Sequence, residues 1–120
     1  MHPRKKKKVE ELLRRELGVI LLRDLSDPRA GFVVVTGVKL SGDQRSAKVQ
    51  VMVRGSAEDT ERTLSVLDHA RGHIQGLIGT RLSLRYTPVL SFEEDTDVRD
   101  AMRLEGLIDR ARRDDREFKS

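Results

Sequence analysis

Two short valine-rich segments separated by a polar turn limit this chain more than any other feature. Phe32-Val33-Val34-Val35-Thr36-Gly37-Val38-Lys39-Leu40 is a β-branched run, too short and too rich in valine to read as a helix. Ser41-Gly42-Asp43-Gln44 then supplies turn residues. Beyond the turn, Ala47, Val49, Val51 and Val53 alternate with Lys48, Gln50, Met52 and Arg54. A period of two sends successive side chains to opposite faces, so this second segment is a half-buried strand, antiparallel to the first. One face of the hairpin is apolar, and the other carries Lys39, Lys48 and Arg54.

The flanking segments follow a different period. Val9, Leu12, Leu13, Leu17, Ile20 and Leu21 recur at spacings of three and four, which predicts an amphipathic helix from Lys8 to Leu25, ended by Asp27-Pro28. After the hairpin, Ser56 is placed as an N-cap, with Glu58, Asp59 and Glu61 in the positive first turns of a second helix. Its apolar stripe is read as Leu64, Leu67 and Ala70. Gly72 breaks that stripe and a new phase starts with Ile74, Leu77, Ile78 and Leu82, so two helices are joined by a tight kink at Ala70-Arg71-Gly72. Leu84, Tyr86, Leu90 and Phe92 read as a third strand, in which Pro88 disfavours a central, fully hydrogen-bonded position. A short helix follows from Val98 to Arg112, using Met102, Leu104, Leu107 and Ile108, and the residues from Asp114 to Ser120 read as disordered.

These elements give an α+β fold with the order α-β-β-α-kink-α-β, a three-stranded sheet with helices packed on one face, and a C-terminal helical tail. The 120 residues suffice for one domain with one core. Residues 1–8 are expected as a basic flexible arm, 9–95 as the folded domain and 96–120 as a short helix and tail.

Function classes narrow by composition. Lys and Arg number 24 against 20 Asp and Glu, a net charge of only +4, but the positive charge dominates the start and middle of the chain while acids collect at Glu93, Glu94, Asp95 and Asp97. That asymmetry favours a polyanion for one face. With no cysteine, a disulfide framework, a thiol nucleophile and a Cys-based zinc site are excluded. Glu10, Glu11, Arg14, Arg15 and Glu16 interrupt the leucine-rich stretch, so neither an export signal nor a membrane span is expected, and the protein reads as soluble and cytoplasmic. No nucleotide-binding or nucleophile-elbow motif occurs. His69 and His73 stand four apart, yet the kink falls between them and no third ligand is marked; neither a metal nor a cofactor is expected, nor an enzyme.

The candidate contacts are therefore to nucleic acid. Arg4, Lys5, Lys6, Lys7 and Lys8 suit phosphates through counterion release, and Arg14 and Arg15 extend that surface. Arg71, His73, Arg81 and Arg85 lie near the kink in sequence, and a guanidinium fork matches phosphate geometry. Lys39, Lys48 and Arg54 serve equally well as charges that guard a sheet edge. Aromatic residues make up only 3%, with Phe32, Tyr86 and Phe92 at apolar strand positions, which points to recognition of RNA shape and backbone rather than to base stacking.

The order of elements, together with Arg14-Arg15-Glu16-Leu17, Asp27-Pro28-Arg29-Ala30-Gly31-Phe32-Val33, Arg45-Ser46-Ala47-Lys48-Val49, Ala70-Arg71-Gly72-His73-Ile74 and the run from Gly79 to Pro88, resembles the ribosome-binding factor A family. The resemblance implies a type II KH-like domain in which an alanine kink, here at Ala70, replaces the glycine-rich loop. It also implies a partner in the immature 30S subunit and its 16S rRNA, support for 16S maturation that matters most in the cold, other assembly factors as further partners, and a monomer. Arg45 and Lys48 join the RNA-contact candidates on this pattern. Gly76-Leu77-Ile78-Gly79 spells the GxxG of nucleic-acid-binding KH domains, but its two aliphatics continue the stripe from Ile74 to Leu82, so it reads as helix interior. The alternative is a protein-interaction adaptor without RNA contact, whose acidic segment and C-terminal helix recognise a basic partner.

Overall fold

A computed structural model describes residues 2–23, 32–97 and 100–101. Its elements are α1 (Pro3–Arg23), β1 (Val33–Leu40), β2 (Ser46–Val53), α2 (Ala57–His69), α3 (Arg71–Arg81) and β3 (Val89–Glu94). This is the α+β order expected from the sequence. The sheet runs β1-β2-β3, with β1 antiparallel to β2 and β3 parallel to it. A parallel neighbour cannot be reached by a tight turn, and α2 with α3 makes the crossover.

The hairpin forms as the alternation requires. Ser41 N donates to Ser46 O at 2.8 Å, and Asp43 ties the turn by accepting from the Ser41 hydroxyl and from Arg45 N. One irregularity was hidden in the valine run. The pairing shifts between Val35 and Gly37, a bulge that changes which alternate residues face inward. Val35 is buried before it, and Val38 and Leu40 after it. The spacing of three between Val35 and Val38 is the trace of that bulge in the sequence.

The inward residues Val35, Val38, Leu40, Ala47, Val49, Val51 and Leu90 meet Leu13, Leu17, Ile20 and Leu21 of α1, Leu67 of α2, and Ile74 and Ile78 of α3 in one core. Both edge strands are tied by a helix side chain. Glu10 accepts from Leu40 N at 2.8 Å, and the Gln75 side-chain oxygen accepts from Leu90 N at 2.9 Å. Such contacts occupy backbone donors that an open edge would offer to another chain.

Ser56 caps α2 in a reciprocal capping box with Asp59. Gly55 precedes it with φ at 126°, where a Cβ would lie 2.3 Å from Asp59 Oδ2, so only glycine fits. The buried stripe of α2 is Thr60, Thr63, Val66 and Leu67; Leu64 and Ala70 are only half-buried. Thr60 is tolerated inside because its hydroxyl bonds Ser56 O. Ala70 is both the C-cap of α2 and the N-cap of α3, so the expected kink is present.

Two expectations change. The basic run 4–8, read as a flexible arm, forms the first turns of α1. Pro3 presets the first helical position, lysines are good helix formers, and the carbonyl of His2 accepts from Lys6 N at 3.1 Å. The third strand starts only after Pro88, so Leu84 and Tyr86 belong to the connection from α3 rather than to β3. Residues 96–97 and 100–101 are helical, while the rest of the expected helix Val98–Arg112, the terminal segment, and Asp27-Pro28 lie outside the described residues. Among the described residues no helix is long and apolar enough to cross a membrane.

Candidate nucleic-acid interface

On α1, apolar positions anchor the inner face and cations are left outward. Arg4, Lys5, Lys7 and Lys8 are exposed and Lys6 is half-buried. The first turn holds no acid, so the cations there sit at the positive end of the helix dipole, an unfavourable placement that an anionic partner relieves. Further along, Arg14 grips Glu11 through two bonds, at 2.9 and 2.5 Å, and Arg15 reaches the same carboxylate at 3.2 Å. Chiefly through the Arg14 hydrogen bond, Glu11 is held down to a pKa of about 2, and Arg14 is raised in turn.

The kink set is divided by the length of α3. Arg71 lies at its start beside His73, with Asp68 at 3.5 Å across the kink. At roughly 1.5 Å rise per residue, Arg81 sits roughly 15 Å further along the axis. There it faces Glu16 of α1 at 3.3 Å. Arg85 follows in the connection to β3 and joins a different neighbour. Its guanidinium lies 5.4 Å from the centre of the Tyr86 ring, and that of Arg45, from the end of the hairpin turn, lies 5.2 Å from the same ring.

Lys48, on the outer sheet face, stands directly opposite Lys39 on β1, with Ser91 of β3 on its other side. Like charges placed opposite one another repel, which again favours an anion there. Among the described residues, Lys5, Lys6, Lys7, Lys8, Lys39, Lys48, Arg45 and Arg85 have no carboxylate at ion-pair distance. The structure thus joins Arg45 to Arg85, and Lys39 to Lys48, but separates Arg71 and His73 from Arg81.

Tyr86 was missed as a member of this surface because its alternation with Leu84 and Leu90 suggested a strand position facing the core. It is 38% exposed. Its place beside Arg85 and two residues before Pro88 was the available signal; nothing in the sequence brought Arg45 to it. The GxxG run lies within α3, with Ile78 fully buried, as helix interior. His69 Nδ1 is 2.7 Å from Ser65 O, and among the described residues no cluster of three His, Cys, Asp or Glu is placed to hold a metal.

Residues 5–108 match the family model for ribosome-binding factor A. The crystal structure of ribosome-binding factor A from Thermus thermophilus is similar over 74% of this chain and 93% of that one, with 28% identity and a TM-score of 0.67. A candidate ribosome-binding factor A from Thermotoga maritima, solved by NMR, shares 33% identity at a TM-score of 0.69 over 76% of this chain and 87% of that one. A homology model of the Thermus thermophilus factor, fitted into a cryo-electron-microscopy map of a 30S complex with that factor, matches at 28% identity and a TM-score of 0.61, covering 72% of this chain and 90% of that one.

Proposed function

The chain belongs to the ribosome-binding factor A family, and from that premise we propose that it is a non-catalytic cytoplasmic factor that docks on the maturing 30S subunit and assists late processing of 16S rRNA. The family match over residues 5–108 carries this reading. The geometry supports it, because cations with no carboxylate at ion-pair distance among the described residues recur on α1, on the outer sheet face and around Tyr86. Arg4, Lys5, Lys6, Lys7 and Lys8, then Arg45, Lys48 and Arg85, are the proposed phosphate contacts, with Arg14, Arg15, Arg71, His73 and Arg81 beside them. Binding an immature RNA arrangement more tightly than the mature one shifts assembly by differential affinity alone, without nucleotide hydrolysis. The need for it is greatest in the cold.

Co-sedimentation of the folded protein with 30S subunits at low salt tests this. Binding that weakens steeply with salt is the expected result. Failure of the folded protein to co-sediment at low salt ends the reading.

One observation favours an adaptor role as a second reading. A groove of about 640 Å³ is lined by Phe32, Met52, Val53 and Leu64 and by Glu61, Glu94 and Asp95 against the single cation Arg54, a lining that suits a basic, partly apolar protein segment. Salt-sensitive binding to a ribosomal protein, with none to rRNA, is the outcome that would select it.

A further inference from the structure

We propose that Arg45, Tyr86 and Arg85 form one preassembled site for an RNA phosphodiester, in which Tyr86 is a positioning residue that holds both guanidinium groups ready. The phosphate's source rests on the RNA reading above; the site itself rests on geometry. Two guanidinium carbons lie within 5.4 Å of one ring centre, and neither group has a carboxylate at ion-pair distance among the described residues. Asp43 is the acid that interacts with Arg45, but its carboxylate is held first by the Ser41 hydroxyl and then by the Arg45 backbone N–H.

A guanidinium lying over an aromatic face keeps its in-plane N–H donors available, and these are the donors that pair with phosphate oxygens. Two cations held at one ring also raise the local positive potential, which draws an anion to their donors. The scaffold is fixed from both sides. Arg45 is held at N by Asp43 and at its carbonyl by Val89 N, 2.9 Å away. Tyr86 sits between Leu84, packed on the core, and Pro88, which is fully buried. Ordering two long side chains in advance lowers the entropy lost on binding. Tyr86 thus acts through the arginines rather than by stacking on a base.

The test uses the full chain with Arg45→Gln/Arg85→Gln, Tyr86→Phe and Tyr86→Leu, each checked for an unchanged thermal unfolding midpoint. Affinity for 30S subunits is followed against salt, and the arginine Nε–H resonances are followed by NMR during titration with a short oligouridylate. Loss of both arginines should lower the slope of log affinity against log salt by about two. Tyr86→Phe keeps the ring and should match the unsubstituted protein. Tyr86→Leu should lose about three- to tenfold in affinity, and that loss should vanish in the background lacking both arginines, as coupling within one unit requires. A Tyr86→Leu loss that persists at full size in that background overturns the positioning role. Arg45 and Arg85 resonances that stay still while others shift overturn the site. If those resonances shift but the protein does not co-sediment with 30S subunits, the ribosomal reading falls and the phosphate site stands.

Discussion

On α1, Arg14 and Arg15 both turn to Glu11, at 2.5 and 3.2 Å, whereas Arg45 and Arg85 have no carboxylate at ion-pair distance among the described residues and lie 5.2 and 5.4 Å from the centre of Tyr86. The four residues count alike in a charge tally. They differ in what a phosphate would have to displace. Exposed ion pairs are weak and exchangeable, yet exchange leaves Glu11 as a neighbouring anion that repels the newcomer. Around Tyr86 no carboxylate stands at ion-pair distance among the described residues, and Asp43, the acid near Arg45, is already held by the Ser41 hydroxyl and Arg45 N. Availability of charge, rather than its amount, separates the two regions.

The regions also rest on different supports, and the largest effect should come from cutting one of them. The α1 pairs are local to a single helix. The Tyr86 site depends on β3, whose Leu90 is fully buried and pairs with Ala47 one residue from the Ser46–Val89 pair. Leu90→Ala should cost about 2–5 kcal/mol in urea unfolding, from lost burial and the cavity left behind. It should disturb the ring resonances of Tyr86 more than the Glu11 pairs. A cost below about 1 kcal/mol would mean that β3 does not hold that region.

Binding should separate the regions next. Arg45→Gln/Arg85→Gln should lower the salt slope of 30S binding by about two, and Arg14→Gln/Arg15→Gln by less than about one, since the latter pair is already engaged by Glu11. Equal drops, measured by co-sedimentation across a salt series, would erase the distinction.

What the sequence disclosed follows the same division between local and distant. The hairpin turn at Ser41 to Gln44, the N-cap at Ser56 and the kink at Ala70 all depend on neighbours a few residues apart, and each was legible. The Arg71–Asp68 pair is of this kind too, at a spacing of three. The bulge at Thr36 was not read, because a run of valines fits either phase. Thr60 and Thr63 were overlooked as core because hydropathy ranks them polar, although a helix can satisfy a threonine hydroxyl on its own backbone. The basic run 4–8 read as an arm because its charge outweighed its good helix propensity. Arg45 and Tyr86 stand 41 positions apart in sequence, and only the parallel pairing of β2 with β3 brings them together.

The helix that separates the two regions offers a finer test. Gly76 faces open space, so Gly76→Ala should stabilise the fold by about 0.5–1 kcal/mol and leave 30S affinity unchanged. A phosphate-clamping loop would instead lose affinity on the same change. Gly79 differs, since an added Cβ would lie 3.2 Å from Thr87 Oγ1, next to Tyr86. Gly79→Ala should therefore stabilise less, and should shift Tyr86 resonances without touching those of Arg14 and Arg15. Identical thermal gains at the two glycines would show that Thr87 yields freely.

The smallest effect should appear in the pH response of α1. With its pKa lowered from 4.5 to about 2, Glu11 binds its proton less readily in the folded chain than in the unfolded one. Its contribution to stability is therefore fully present above the unfolded value near 4.5 and is lost as pH falls toward about 2. Because the carboxylate is exposed, the contribution is modest. The folded protein should accordingly keep Arg14 and Arg15 paired down to about pH 3, with a Glu11 carboxyl titration centred near 2 by NMR. Glu11→Gln removes that step and releases both arginines at neutral pH, so the salt slope of binding should steepen slightly. A Glu11 midpoint near 4.5 would mean that the helix arginines are as available as those at Tyr86, and the contrast between the regions would then have to rest on Tyr86 alone.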